Sequence, residues 1–142
     1  MKKLKKLMLA GTLILVMLLL ASCESIETIE DEQTTELVQV APIVITPIQA
    51  KEIMAIGNAV ILDVRTQAEF DGGHIENAIL LPYDEVLALA TSILMDKEQT
   101  ILIYCRTGRR SNIAALALTE LGYTSVYDFG GIVDWHGEVI IP

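Results

Sequence analysis

Cysteine is nearly absent from this chain. Two occur in 142 residues, Cys23 and Cys105, so no disulfide framework can brace the fold. Histidine is as scarce, with His74 and His136 alone, and no Cys/His group has the spacing of a metal site. Neither a metal nor a cofactor is expected. Cations are outnumbered: 10 Lys+Arg stand against 19 Asp+Glu, a net charge of −9. That balance disfavours nucleic acid as a partner. A helix that spans a bilayer needs roughly 18–20 apolar residues. The apolar run Leu7 to Leu20 has only fourteen. No internal repeat is visible, and the length allows at most one ordinary domain.

The N-terminus carries its own pattern. Four lysines within Met1 to Lys6 precede the apolar run, and small residues follow it, which is the order of a secretory signal. The ending, Leu20-Ala21-Ser22-Cys23, resembles the bacterial lipobox. That resemblance implies a signal peptide over residues 1–22, with acylation of Cys23 as the new N-terminus. The protein would then sit in the cell envelope, held by its lipid on the outer face of a bacterial membrane. Several acyl chains supply the multiple anchors that stable attachment requires. Cleavage removes four lysines and leaves six cations against nineteen carboxylates, a net of −13. It also leaves Cys105 as the one free thiol. Residues 23–41 read as an acidic flexible tether. Glu24, Glu27, Glu30, Asp31, Glu32 and Glu36 fall there, with Ser, Thr and Gln and no aromatic residue. Such a composition cannot bury enough apolar surface to fold.

Cys105 is the residue that points to chemistry. It follows the apolar run Ile101-Leu102-Ile103-Tyr104 and opens Cys105-Arg106-Thr107-Gly108-Arg109-Arg110-Ser111, ahead of a helical pattern from Asn112 to Leu121. A thiol at a strand-to-helix junction meets free N–H groups and the positive end of a helix dipole. Neighbouring cations add to that field, and both lower a thiol pKa. Gly108 permits a left-handed turn, through which successive N–H groups can form an anion-binding nest. Half of the six cations left after cleavage are Arg106, Arg109 and Arg110. A positive spot on a negative protein suggests a small anionic substrate. A structural cysteine beside a solvated charge cluster is the plainer alternative.

From Pro42 onward, strand-like and helix-like segments alternate. Strands are expected at 43–45, 59–64, 79–81, 101–104 and 125–127. Thr46-Pro47 starts a helix that Gly57 closes. Thr66-Gln67-Ala68-Glu69 fits the capping box of a short helix broken at Gly72-Gly73. Further helices are expected at 84–95 and 112–121, with Gly122 after the last, and a short helical turn through Trp135 after Gly130-Gly131. Continuous apolar strands separated by helices predict an α/β fold, a mostly parallel central sheet with helices on both faces. Cys105 then lies at a strand's carboxyl end, where such sheets bind ligands. Leu87, Ile93, Leu94 and Met95 read as core or helix-face residues, and Trp135 as packing the last turn onto the core.

Five features occur in order: Asp63-Val64-Arg65 with Glu69, Gly73-His74-Ile75, Leu81-Pro82, the Cys105 to Ser111 loop, and Gly130-Gly131-Ile132-Val133-Asp134-Trp135. Together they resemble the rhodanese-like domain, a sulfurtransferase fold, over residues 42–142. The resemblance implies that Cys105 is the persulfide-forming nucleophile. It implies that Arg106, Thr107, Gly108, Arg109 and Arg110 cradle the sulfur through their N–H groups, with the arginines attracting an anionic donor such as thiosulfate. A thiol or protein cysteine would accept the sulfur. Asp63 and Arg65 would buttress the loop, with Arg65 pairing with Glu69 and Ser111 in support. His74 becomes a structural residue of its turn rather than a base. Two alternatives remain at this point. Cysteine phosphatases and arsenate reductases resemble Cys-x5-Arg, but here only four residues separate Cys105 from Arg110 and Ser111 takes the next place. Rhodanese-like binding modules without activity are the other alternative, and many of those lack the cysteine that this chain keeps.

Overall fold

The computed structural model describes residues 41–142, so the signal segment, Cys23 and nearly all of the tether lie outside the described residues. The described chain runs β1 (Ile43–Val44), α1 (Pro47–Ile56), β2 (Ala59–Asp63), α2 (Gln67–Asp71), β3 (His74–Ile75), β4 (Ile79–Leu80), α3 (Val86–Ile93), β5 (Thr100–Cys105), α4 (Arg109–Glu120), β6 (Val126–Gly131), a 3-10 turn (Ile132–Asp134) and β7 (Val139–Ile140). Five strands form one parallel sheet in the order β1-β6-β5-β2-β4. This is the expected α/β architecture.

Each sheet face carries its own apolar core, which is why the central strands are unbroken hydrophobic runs. On one face Leu62, Val64, Ile101, Ile103 and Cys105 pack against Val86, Ala90 and Leu94 on or just after α3, and against Ala114, Ala115 and Leu118 of α4. On the other, Ile61, Leu102, Tyr104 and Phe129 pack against Ala50 of α1, with Trp135 at the margin. Side chains of β5 alternate between the two cores, as the two-residue period of a strand requires, so the strand is buried on both faces. Trp135 packs against Phe129 as a tilted pair, 5.7 Å between ring centroids, in the packing role expected of it.

Local signals fix the helix ends. Thr46 accepts a hydrogen bond from the Gln49 N–H at 3.2 Å, Pro47 follows it, and Gly57 stops α1 with φ of 90°. The Thr66–Glu69 capping box forms as the sequence predicts.

Five details differ from expectation. Helix α4 begins at Arg109 instead of Asn112, because Gly108 turns the chain at φ of 96° and the next residue is already helical. Helix α3 is shorter than 84–95, because Pro82 to Glu85 is spent in a turn closed by the Glu85 N–H on the Pro82 carbonyl at 2.9 Å. Only Val86, Ala90 and Leu94 face inward at i, i+4 and i+8, which leaves Leu87 61% and Met95 88% exposed rather than in the core. Strand β6 continues through Gly131, and β3 pairs with β7 in a separate antiparallel ribbon. Among the described residues no helix is long and apolar enough to cross a membrane.

Candidate active site

Strand β5 delivers Cys105 to the carboxyl edge of the sheet, between β2 and β6. The chain then turns through Arg106, Thr107 and Gly108 into α4. No side chain caps this helix, so its first N–H groups are left for another acceptor. That acceptor is the sulfur: the Gly108 N–H donates to Cys105 Sγ at 3.1 Å. The thiol is buried, which by itself raises its pKa, but N–H groups of Ser111, Thr107 and Gly108 and the Ser111 hydroxyl outweigh burial and lower it. The lowering thus comes mainly from the loop's own donors, not chiefly from the arginines. The Ser111 hydroxyl also donates to the Gly108 carbonyl at 2.9 Å and lies 3.3 Å from the Gly130 carbonyl, which ties the loop to β6.

Glycines let β6 back this loop closely. At Gly131 a Cβ would stand 2.5 Å from the Arg106 carbonyl oxygen and 2.8 Å from the Thr107 Cα, so no side chain fits there. The Val133 N–H donates to the same Arg106 carbonyl at 3.3 Å. Buried Asp128 accepts from the Gly130 N–H at 2.9 Å and sets the preceding turn. Asp128 is not among the site residues expected from the sequence. An Asp two residues before Gly-Gly is an Asx-turn signal that could have found it.

The acidic residues do not pair as expected. Arg65 bonds not with Glu69 but with Asp63, through Nε at 2.9 Å and Nη2 at 2.6 Å, and Nη2 also donates to the Gly73 carbonyl at 2.8 Å. Asp63 is fully buried and Arg65 nearly so, and a buried guanidinium needs a buried carboxylate. Burial opposes the charged form of Arg65, yet its bonds and charge contact with Asp63 prevail and raise its pKa. Tyr104 completes this support: its hydroxyl accepts from the Ile75 N–H at 3.1 Å, and burial, followed by Asp63, raises its pKa.

Glu69 binds Arg110 instead, with both guanidinium ends at 2.7 Å from its two oxygens. The same carboxylate closes the capping box by accepting from the Thr66 N–H at 3.1 Å. Arg110 pulls the Glu69 pKa down to about 2. Glu69 in turn is the main reason that the Arg110 pKa rises, and the Cys105 sulfur adds to it. Arg110 is therefore held in place by Glu69, on the side of the loop where the Cys105 sulfur favours its charge. Arg106 and Arg109 are exposed and form no ion pair among the described residues.

His74 takes the structural place expected of it. Its Nδ1 lies 2.9 Å from the Phe70 carbonyl and its ring stacks on Phe70 at 3.6 Å. Among the described residues no group of three His, Cys, Asp or Glu could hold a metal.

A thiol at the end of a buried strand, facing loop N–H donors beside a fixed guanidinium, defines a class of protein. The chain belongs to the rhodanese-like sulfurtransferase family: the Rhodanese-like domain matches residues 46–138. It is similar to the thiosulfate sulfurtransferase PspE of Escherichia coli (strain K12), 37% identical over 73 residues, which make up 51% of this chain and 70% of that protein. A tRNA uridine(34) hydroxylase of Yersinia pestis (strain Pestoides F) is 34% identical over 92 residues, 61% of this chain, but the chain spans only 26% of that relative. The solved structure of a rhodanese with anions from E. coli aligns with a TM-score of 0.56 at 32% identity, covering 59% of this chain and 99% of that one.

Proposed function

We propose that this protein moves sulfane sulfur from a small anionic donor such as thiosulfate to a thiol or protein-cysteine acceptor through a persulfide on Cys105. The observation that carries this reading is the set of N–H donors converging on Cys105 Sγ. The thiolate attacks the outer sulfur of thiosulfate, the S–S bond of the donor breaks, and sulfite leaves with the bonding electron pair. Cys105 then carries a persulfide anion. The loop N–H groups and Arg110 face that charge at no further reorganisation cost, as preorganised anion sites do. An acceptor nucleophile takes the terminal sulfur and restores the thiolate. With cyanide as acceptor the product is thiocyanate. Two half-reactions through one covalent intermediate give ping-pong kinetics. Arg106 and Arg109 guide the anionic donor, while Arg110 stabilises sulfur-borne charge. The loop, with four residues between Cys105 and Arg110, suits a single sulfur atom rather than a tetrahedral phosphoryl group.

The test is intact-mass measurement after thiosulfate treatment, with turnover to cyanide. One sulfur should be gained on Cys105, and Cys105→Ala should lose both the gain and the turnover. Activity in Cys105→Ala would reject the reading. Turnover of phosphate esters without sulfur uptake would favour the phosphatase alternative.

We further propose that the domain, residues 42–142, is tethered by residues 23–41 to a lipid on Cys23 at the outer face of a bacterial membrane. The lysine-rich start, the short apolar run and the Leu-Ala-Ser-Cys ending support this. Cys23→Ser should abolish lipid labelling and leave the precursor unprocessed. Normal processing of that variant would end the proposal.

A further inference from the structure

A second concave site lies on the other face of the sheet from the core that contains Cys105. It is a cavity of about 890 Å³ between α1, the start of β2, the turn after β3 and the segment that follows the 3-10 turn. Its apolar part comes from Met54, Ile61, Ile75 and Trp135.

The charged side chains that line this cavity are Glu76, Glu138 and Lys51, a net negative set. Helix α1 ends at its wall, where Gly57 lines it, and no basic residue stands in the last turn to offset the negative end of the helix dipole. Glu76 and Glu138 line it as well, and both are solvent-exposed. Lys51 keeps its charge but is drawn to one wall. Its Nζ donates to the His136 carbonyl at 3.1 Å and stands 5.1 Å from the centre of the Trp135 ring. This wall is built tightly. A side chain on Gly137 would come within 2.7 Å of the Trp135 ring and 2.8 Å of the Lys51 stem. A cavity that is about half apolar, with two carboxylates against one lysine and a helix C-terminus at its wall, is matched by positive charge on a partly apolar body. The acidic segment that precedes the domain is excluded as the occupant by like charge. No three-ligand metal group exists among the described residues.

We propose that this cavity binds a small organic cation, a primary ammonium group on a short aliphatic body, separately from the sulfur-transfer site. The apolar part of the ligand would lie on Met54, Ile75 and Trp135, and its ammonium group would face Glu76, Glu138 and the α1 carbonyls.

Trp135 is the only tryptophan in the chain, so its fluorescence reports this cavity alone. The probes are hexylammonium and hexanoate, which share a chain and differ in the sign of the head group. Hexylammonium should shift Trp135 emission saturably, with half-saturation on the order of 1 mM, as expected for so few heavy atoms. Hexanoate at equal concentration should not. Glu76→Gln with Glu138→Gln should weaken hexylammonium binding about 2- to 10-fold, the range for exposed charge pairs. Thiosulfate:cyanide turnover should be unchanged in that variant. An equal response to hexanoate, a linear response to hexylammonium, or an unchanged half-saturation in the double variant would overturn the proposal.

Discussion

Replacing Gly131 by alanine isolates what the close approach of β6 does for the sulfur site. Gly131 has φ of −114° and ψ of 142°, an extended conformation that alanine adopts freely. Backbone strain is therefore not the issue. Stiffening the unfolded chain alone would even stabilise the fold by about 0.4–1 kcal/mol. The new methyl, however, would lie 2.5 Å from the Arg106 carbonyl oxygen, against an ordinary contact near ~3.5 Å. Relief requires the loop to retreat by roughly 1 Å. Overpacking of that kind costs ~1–3 kcal/mol, so the net loss of stability is about 1 kcal/mol, or ~4–8 °C for a domain of this size. The loss of rate should be larger. A 1 Å displacement of reacting groups, or one lost oxyanion donor, costs ~10²–10³-fold. The control is Gly130→Ala. Gly130 has φ of 87° with nothing within 4 Å of an added Cβ. It should lose ~1–2 kcal/mol to left-handed strain yet keep most of its rate. The assay is single-turnover uptake of one sulfur by Cys105, read by intact mass beside thermal melts. Parent-like rates in Gly131→Ala, or equal losses of rate in both variants, would refute the reasoning.

Three further outcomes follow from the site. Alkylation of Cys105 against pH should show a midpoint below the ~8.5 of a free thiol, and Ser111→Ala should raise it by removing a donor to the thiolate. Glu69 has a folded pKa of about 2, below its unfolded value near ~4.3, so its contribution is present above pH ~4.3 and fades as pH falls toward 2. Acid unfolding curves of parent and Glu69→Gln should therefore differ at neutral pH, by on the order of 1 kcal/mol after solvent screening, and converge below pH ~2. Asp63→Asn leaves the buried Arg65 guanidinium without its counter-charge and should cost ~3–5 kcal/mol in denaturant unfolding.

The elements that were legible in the sequence are those with local causes. The Thr66 and Thr46 caps, the Gly57 stop and the apolar strands each state themselves within a few residues. The loop around Cys105 was legible for the same reason, since a thiol, a glycine and a helix start are adjacent. The ribbon of β3 and β7 was not, because two-residue strands show no periodicity, and His74 meets Ile140 only through the fold. The partner of Glu69 was missed for a related reason. Arg65 is four residues away along the chain, whereas Arg110 is 41 away and becomes a neighbour only when β5 docks beside β2. The effect of the arginines on the thiol was over-read. Charge proximity along the sequence does not rank them against N–H groups that the turn points at the sulfur.

Strand β5 occupies the middle of the sheet, and five of its six residues are buried. Amides so placed exchange with solvent chiefly when the whole domain opens. Cys105 is thus mounted on a strand whose amides should be among the slowest to exchange. Deuterium uptake along Ile101 to Cys105 should follow global unfolding, while the amides of Arg106 and Thr107 exchange on their own, faster schedule. Adaptation of this site to different sulfur donors therefore falls to the loop alone, because the strand beneath Cys105 cannot shift without unmaking both cores.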